Sequence, residues 1–269
     1  MPEIDLSGDH HIHTRLCNHA RGEMEEYVQA AIDKGLLSMT FLEHLECGIC
    51  YDHRTWLTDK LFAEYFREGK RLQKKYAGRI DVRLGVEVGY NPAAVPQLRE
   101  MLARYPFEHV GLSYHFYFDG NRHLNMVSRR QDNINALTAI GMNRVLNEYF
   151  NGLIRACKEL PCNKICHLDA GLRHMPGLCF TNRHREQIEQ LLVLMREQKI
   201  ALEVNTSGIE LRSLPYPAEN IVKRAHELKI PLIPGSDAHR PDQVGRYFAQ
   251  LASAEITPDA SPHQYVELH

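Results

Sequence analysis

The chain has 269 residues, a formal net charge of −2 and 43% hydrophobic residues, enough for one large domain with a full core. Its 32 Lys+Arg against 34 Asp+Glu argue against a protein that grips nucleic acid by bulk charge, and its apolar content excludes a disordered chain. Histidine stands out, with 16 residues against 12 Tyr, 9 Phe and 1 Trp, and only position can separate surface scatter from a metal site.

In chain order, residues 4–13 predict a first strand. A helix over 23–34 follows, with Met24, Tyr27, Val28, Ala31 and Ile32 at helical spacing and Gly35 as a stop. Residues 38–44 predict a second strand and 58–76 a helix. Residues 81–88 predict a strand and 93–105 a helix, then 108–116 a strand and 133–159 one long helix or two. A strand over 164–168, a helix over 182–198, a strand over 200–205, a helix over 218–228, a strand over 231–236 and a helix over 243–252 complete the pattern. Seven strands alternating with about seven helices imply right-handed βαβ units and a parallel sheet. No glycine fingerprint of a dinucleotide fold follows the first strand, so an α/β barrel is favoured, with its site at the C-terminal strand ends. No linker or repeat divides the chain, and residues 1–269 are expected to form a single domain.

The first residues lack a basic segment followed by an apolar run, and the longest aliphatic stretch, 191–195, is too short to span a bilayer. A cytoplasmic protein with no membrane partner is therefore expected. The seven cysteines form no regular framework. Cys47 and Cys50 have the spacing of a zinc or redox pair but no second pair follows, so they are expected as reduced thiols in a loop.

The histidines cluster at predicted strand ends. His11 and His13 end the first strand, spaced i, i+2 so that both point to one face. His44 ends the second strand beside Glu43, Glu87 the third, His115 the fourth, His167 and Asp169 the fifth, and Asp237 and His239 the last; His19 lies in the loop after the first. Ionisable groups converging on one rim would cost several kcal/mol apiece unless cations pair them, roughly. The mixed N/O donor set suits zinc, manganese or iron, and nine ligands imply two or three divalent ions. His53, His109, His123, His174, His184, His226, His263 and His269 are expected at the surface or in loops, His53 and His174 being the foremost candidates to reach the site.

The segments Asp9-x-His11-x-His13-Thr14, Cys17-Asn18-His19-Ala20, Glu43-His44, Gly85-Val86-Glu87, Ser113-Tyr114-His115, His167-Leu168-Asp169, Asn205-Thr206-Ser207-Gly208 and Gly235-Ser236-Asp237-Ala238-His239 together resemble the PHP (polymerase and histidinol phosphatase) superfamily, above all its histidinol-phosphatase branch. The resemblance runs from residue 9 to about 250. It implies a distorted (β/α)7 barrel, TIM-barrel-like, in agreement with the strand count. It also implies a ligand distribution: His11, His13, Glu87 and Asp237 around a first metal, Glu87 bridging to a second completed by His115 and His167, and His19, His44 and His239 around a third. All nine positions are filled. The loops 46–56 and 116–131 depart from the family pattern and are expected to form the substrate mouth.

The expected activity is metal-dependent hydrolysis of a small phosphate monoester, with L-histidinol phosphate the first candidate. Metals would activate water and clamp phosphate oxygens, so water attacks phosphorus directly and no phosphoenzyme forms. Glu87 would act through the metals, and Asp237 or His239 is a candidate to pass a proton to the leaving oxygen. Arg173 and Arg212, with Arg240 as a third candidate, would meet the phosphate, since guanidinium forks suit it. Alternatives are a phosphoesterase acting on nucleotides or nucleic acid ends, the balanced charge disfavouring a long polyanion, and a non-phosphatase metal hydrolase such as an amidohydrolase barrel. A non-catalytic metal-stabilised module would be expected to have lost ligands, and none is lost.

Overall fold

The structure, a computed structural model, describes residues 2–175 and 177–253. Seven parallel strands form one sheet in the order β1 (Gly8–Ile12), β2 (Ser38–Glu46), β3 (Asp81–Gly89), β4 (His109–Ser113), β7 (Lys164–Ile165), β8 (Ala201–Asn205) and β9 (Leu232–Gly235). The remaining two strands, β5 (Phe116–Phe118) and β6 (His123–Asn125), pair as a separate antiparallel hairpin. The sheet curls until its ends meet. His13 N–H donates to the Ala238 carbonyl at 2.9 Å and Ala238 N–H to the His11 carbonyl at 3.2 Å, which nearly closes a barrel.

Around it lie α1 (Met24–Asp33), α2 (Asp59–Lys75), α3 (Val95–Arg104), α4 (Gln131–Ile140), α5 (Met142–Glu159), α6 (Asn182–Gln198), α7 (Ser207–Arg212), α8 (Glu219–Glu227) and α9 (Phe248–Ser253). Their starts are written locally. Glu23 and Glu26 form a reciprocal capping box on α1, and the Thr58 hydroxyl accepts from Leu61 N–H to open α2. One apolar cluster links the helices to the strands, from Ile12 and Tyr27 through Phe62, Leu112 and Phe150 to Leu202 and Phe248. No helix among the described residues is long and apolar enough to cross a membrane.

The barrel is narrow because its inward-facing positions alternate large and small. A Cβ on Gly85 would sit 2.7 Å from the His109 carbonyl and 2.9 Å from Leu42 Cδ1, and one on Gly111 would sit 2.5 Å from Cys166 Sγ. Glycine at these positions lets Leu42 and Cys166 fill the middle of the barrel.

Several sequence expectations are corrected. The first strand begins at Gly8 rather than residue 4. The fourth ends at Ser113, and Phe116–Phe118 belongs to the hairpin. The stretch expected as strand 164–168 is laddered only over Lys164–Ile165, because His167 takes a left-handed φ of 27°. Of the one long helix or two expected over 133–159, the structure has two, divided at Gly141 with φ 101°. The last helix begins at Phe248 rather than residue 243. His123 and His184 are buried rather than superficial, each accepting a backbone N–H at its Nδ1. His263 and His269 lie outside the described residues.

Candidate metal centre

The strand period and the parallel register bring the nine residues together. In β2 and β3, His44 and Glu87 are direct Cα partners, so both point into the barrel at its C-terminal end. Two others are turned out of their strands by unusual backbone. His167 and Asp237 have φ of 27° and 51°, conformations that cost about 1–3 kcal/mol and persist where the surroundings over-determine them.

Glu87 is the hub. Fully buried, it has Oε1 2.8 Å from His167 Nε2 and 3.3 Å from His115 Nε2. Its Oε2 lies 2.9 Å from His44 Nδ1, 3.6 Å from His11 Nε2 and 3.7 Å from His13 Nε2, yet makes no hydrogen bond. Burial alone would raise its pKa, but the His115, His11 and His44 imidazoles hold the carboxyl well below its usual range. Asp237 Oδ1 lies 3.2 Å from His13 Nε2 and 3.8 Å from His11 Nε2. At the outer edge His19 and His239 face each other, Nε2 to Nε2, at 2.8 Å, with His44 beside them.

A further set of buried groups orients these imidazoles. His11 Nδ1 is 2.6 Å from Glu203 Oε1, and His115 Nδ1 is 2.8 Å from Glu46 Oε1. His19 Nδ1 donates to the Cys17 carbonyl and His239 Nδ1 to the Asp237 carbonyl, both at 3.0 Å. His115 is pinched between the Glu46 and Glu87 carboxylates, which against the effect of burial push its pKa up to about 10. In His19 and His239, whose pKa values burial lowers, the proton stays on Nδ1 and the lone pair of Nε2 points inward. Acceptor therefore faces acceptor where His19 meets His239. Such an arrangement is repulsive until cations stand between the groups, and the donors are of the type and number that suit divalent zinc, manganese or iron. Glu43 is different in kind. Its Oε1 accepts from both the N–H and the hydroxyl of Thr14, Oε2 is unpartnered, and burial pushes its pKa up to about 8.

The site opens into a cleft of about 780 Å³. Thr55, Phe116, Asn125, Ser128 and Arg129 line it, so both divergent loops do reach the mouth. The loops are sewn together: Cys50 N–H donates to His123 Nδ1, and Phe116 packs edge-on against Tyr51 and Trp56. Cys47 and Cys50 lie in loop, and no disulfide forms among the described residues.

Of the three expected arginines, Arg173 lines the cleft, its Nε buried without a hydrogen-bond partner. Arg240 lines it too, exposed and paired with Asp242 at 3.1 Å. Arg212 is not among the lining residues. Its side chain is only 4% exposed, forks onto Asp169 at 3.2 Å and stacks 4.0 Å over the Tyr216 ring, so the structure ties its guanidinium to the fold rather than to the cleft wall. His174 lines the cleft, neutral because burial and the Arg173 and Arg129 cations lower its pKa to about 4. His53 is exposed beside Asp52 and lies outside the lining.

Sequence reasoning missed Glu46 and Glu203, which hold His115 and His11, and the cleft residues Arg129 and Arg246. Arg246 donates to the Ser236 carbonyl at 2.8 Å and pairs with Glu210 at 2.9 Å. A readable signal existed for Glu203: one carboxylate inside the otherwise apolar run 200–204. Nothing local distinguishes Arg246.

A PHP-domain family model matches residues 9–207, and a PHP-associated model matches 219–260. A Deinococcus radiodurans protein named "Probable histidinol-phosphatase" is 30% identical over 248 residues, covering 90% of this chain and 89% of its own length. The Bacillus subtilis "Histidinol-phosphatase" is 27% identical over 256 residues, covering 88% and 95%. Among solved structures, a Listeria monocytogenes protein described as a histidinol phosphatase superposes with TM-score 0.83 at 22% identity, over 90% of this chain and 99% of the other. A Lactococcus lactis histidinol phosphate phosphatase, solved with zinc, L-histidinol and phosphate, superposes with TM-score 0.70 at 18% identity over 94% of each chain. At those identities the two structures establish the shared fold, while the family model and the aligned relatives carry the lineage: the chain belongs to the PHP-domain family and resembles its histidinol-phosphatase branch.

Proposed function

We propose that this PHP-domain enzyme is a metal-dependent phosphomonoesterase that hydrolyses a small phosphorylated metabolite, with L-histidinol phosphate the favoured substrate. The observation that carries the proposal is the facing Nε2 lone pairs of His19 and His239 beside a fully buried Glu87 carboxylate ringed by imidazoles, an arrangement that calls for cations. His11, His13, Glu87 and Asp237 would hold one divalent ion, Glu87, His115 and His167 a second, and His19, His44 and His239 a third. When bound, such ions lower the pKa of water and neutralise phosphoryl oxygens.

The chain's own residues supply the rest. Arg173 offers a buried, unpartnered Nε toward a phosphoryl group, and Arg129, Arg240 and Arg246 make the surrounding wall positive. Glu46 and Glu203 hold the His115 and His11 rings with Nε2 turned inward. His239, 25% exposed, lies on the cleft side of the cluster. The relatives named for histidinol phosphate support the substrate, as does a cleft wide enough for a small molecule and lined by Glu210 as well as arginines.

Phosphate release measured with manganese or zinc on histidinol phosphate, nucleoside monophosphates and p-nitrophenyl phosphate tests the proposal. Histidinol phosphate is expected to give the highest kcat/KM, and Glu87→Ala is expected to lose roughly 100-fold or more, beyond the 10–100-fold typical of an outer-sphere partner. Turnover of no monoester by metal-loaded protein would overturn it.

A further inference from the structure

The opposite mouth of the barrel holds a second chemistry-bearing cavity. Barrel-facing residues recur every second position, so Thr40 and Arg83 point inward like His44 and Glu87 but four residues earlier, roughly 13 Å away along the strands. With His109 of β4 and Lys164 of β7 they wall a cavity of about 160 Å³, completed by His10, Asn163, Asp5 and β9. A water occupies about 30 Å³ of liquid, so the space holds one oxyanion with a water.

This layer is unusual for a barrel floor, where branched aliphatics dominate. The walls are rich in donors, and Asp5 is the single acidic residue among them. Lys164, buried, has three ammonium protons. One goes to the His10 carbonyl at 2.8 Å, and the ammonium is ion-paired with Glu203 at 3.7 Å without a hydrogen bond to it, which leaves donor capacity over the cavity. Asn163 spends its side-chain carbonyl on Val110 N–H and keeps its amide protons. Arg83 is clamped by Asp81 with Nη1 3.5 Å from His109 Nε2. Burial holds the His109 imidazole below its ordinary pKa, and the Arg83 and Lys164 cations add to that against the opposing pull of Glu108 and Asp81.

We propose that this cavity, walled by Thr40, Arg83, His109 and Lys164, is a binding site for a small oxyanion, inorganic phosphate, separate from the metal cleft. Lys164 would be the principal ligand and Arg83 and His109 its rim. The site stands on these residues alone and does not depend on the phosphatase reading.

Crystals of the full chain soaked in arsenate, with the arsenic located by anomalous scattering, test it directly. An arsenic peak beside Lys164 is expected whether or not the metal cleft also holds one. In solution, calorimetric titration with inorganic phosphate is expected to show a binding class that weakens at least tenfold in Arg83→Gln and in His109→Ala but survives Arg173→Ala, and sulfate in place of phosphate reports whether the site selects between the two anions. Arg83 is partly exposed, so its variant keeps the fold even if a deeper change does not. Arsenic confined to the cleft, or phosphate binding unchanged in both floor variants, would overturn the proposal.

Discussion

Arg173 and Arg212 carry the same charge and follow similar strand-end turns, yet their surroundings give them opposite work. Arg212 is buried against Asp169, which also accepts from Ala218 N–H at 2.9 Å, and Arg212 donates to the Leu214 and Pro215 carbonyls. Removing one partner of such a pair leaves a buried charge uncompensated, at about 3–5 kcal/mol. Arg173 keeps an unsatisfied Nε at the cleft wall, and a charge-assisted hydrogen bond to a ligand is worth about 1.5–3 kcal/mol, or roughly 10- to 100-fold in binding. Arg212→Ala is therefore expected to lower the melting temperature strongly, and Arg173→Ala to lower kcat/KM roughly 10- to 100-fold with the melting temperature unchanged. Thermal melts and steady-state kinetics on the two variants check this, and the reverse pattern would reassign both. The convergence of the nine candidate ligands on one rim was legible because a strand fixes which side chains share a face. The arginines were not, because charge in a sequence does not say whether a carboxylate 43 residues away, as Asp169 is from Arg212, has already taken it.

At the scale of elements, helices with ordinary starts were read to within a residue or two, and α6 was read with its bounds intact. The failures share a cause: the local pattern was overridden by a contact elsewhere. Phe116-Tyr117-Phe118 continues the β propensity of β4, but Tyr114 and His115 turn toward the core and the site, so the chain leaves the sheet and pairs with β6 instead. The six-residue α7 is too short for periodicity to register. His184 shows a helix start that works without the usual acid. In the capping box of α6 its Nδ1 accepts Thr181 N–H at 3.1 Å while Thr181 Oγ1 accepts His184 N–H. Burial lowers its pKa, and the neighbouring Arg183 acts in the same direction; a positive helix N-terminus also disfavours a proton there. The folded state thus binds the proton less readily than the unfolded state. The cap's contribution is fully present above the unfolded value of about 6.5 and is lost as pH falls through it. An acid-side melting series of wild type against His184→Gln, which keeps an acceptor that does not titrate in this range, is expected to show wild type losing more stability between pH 8 and 5.5, up to the roughly 0.5–2 kcal/mol that a cap is worth. Parallel curves would deny the imidazole this role.

For the molecule as a whole, the metal centre and the barrel closure are one structure. The ligands come from both sides of the seam: His11 and His13 end β1, Asp237 and His239 follow β9, and the seam itself is closed by the His13–Ala238 and Ala238–His11 hydrogen bonds. With the Nε2 lone pairs of His19 and His239 only 2.8 Å apart across it, repulsion at the rim works against closure when cations are withheld. Bound ions should therefore stabilise the fold as well as equip it for reaction. An ion at a hundredfold excess over its Kd adds about 2.7 kcal/mol, and a chain of this size gains roughly 2 °C per kcal/mol, so two ions raise the melting temperature by about 10 °C. Exhaustive chelation is expected to lower it by that amount and readdition of zinc or manganese to restore it, with the restored shift much reduced in Glu87→Ala because the hub that touches both inner ligand sets is gone. A chelated protein that melts where the metal-loaded one does would mean that the seam tolerates its facing lone pairs unaided, and that the rim is not the cation site its geometry demands.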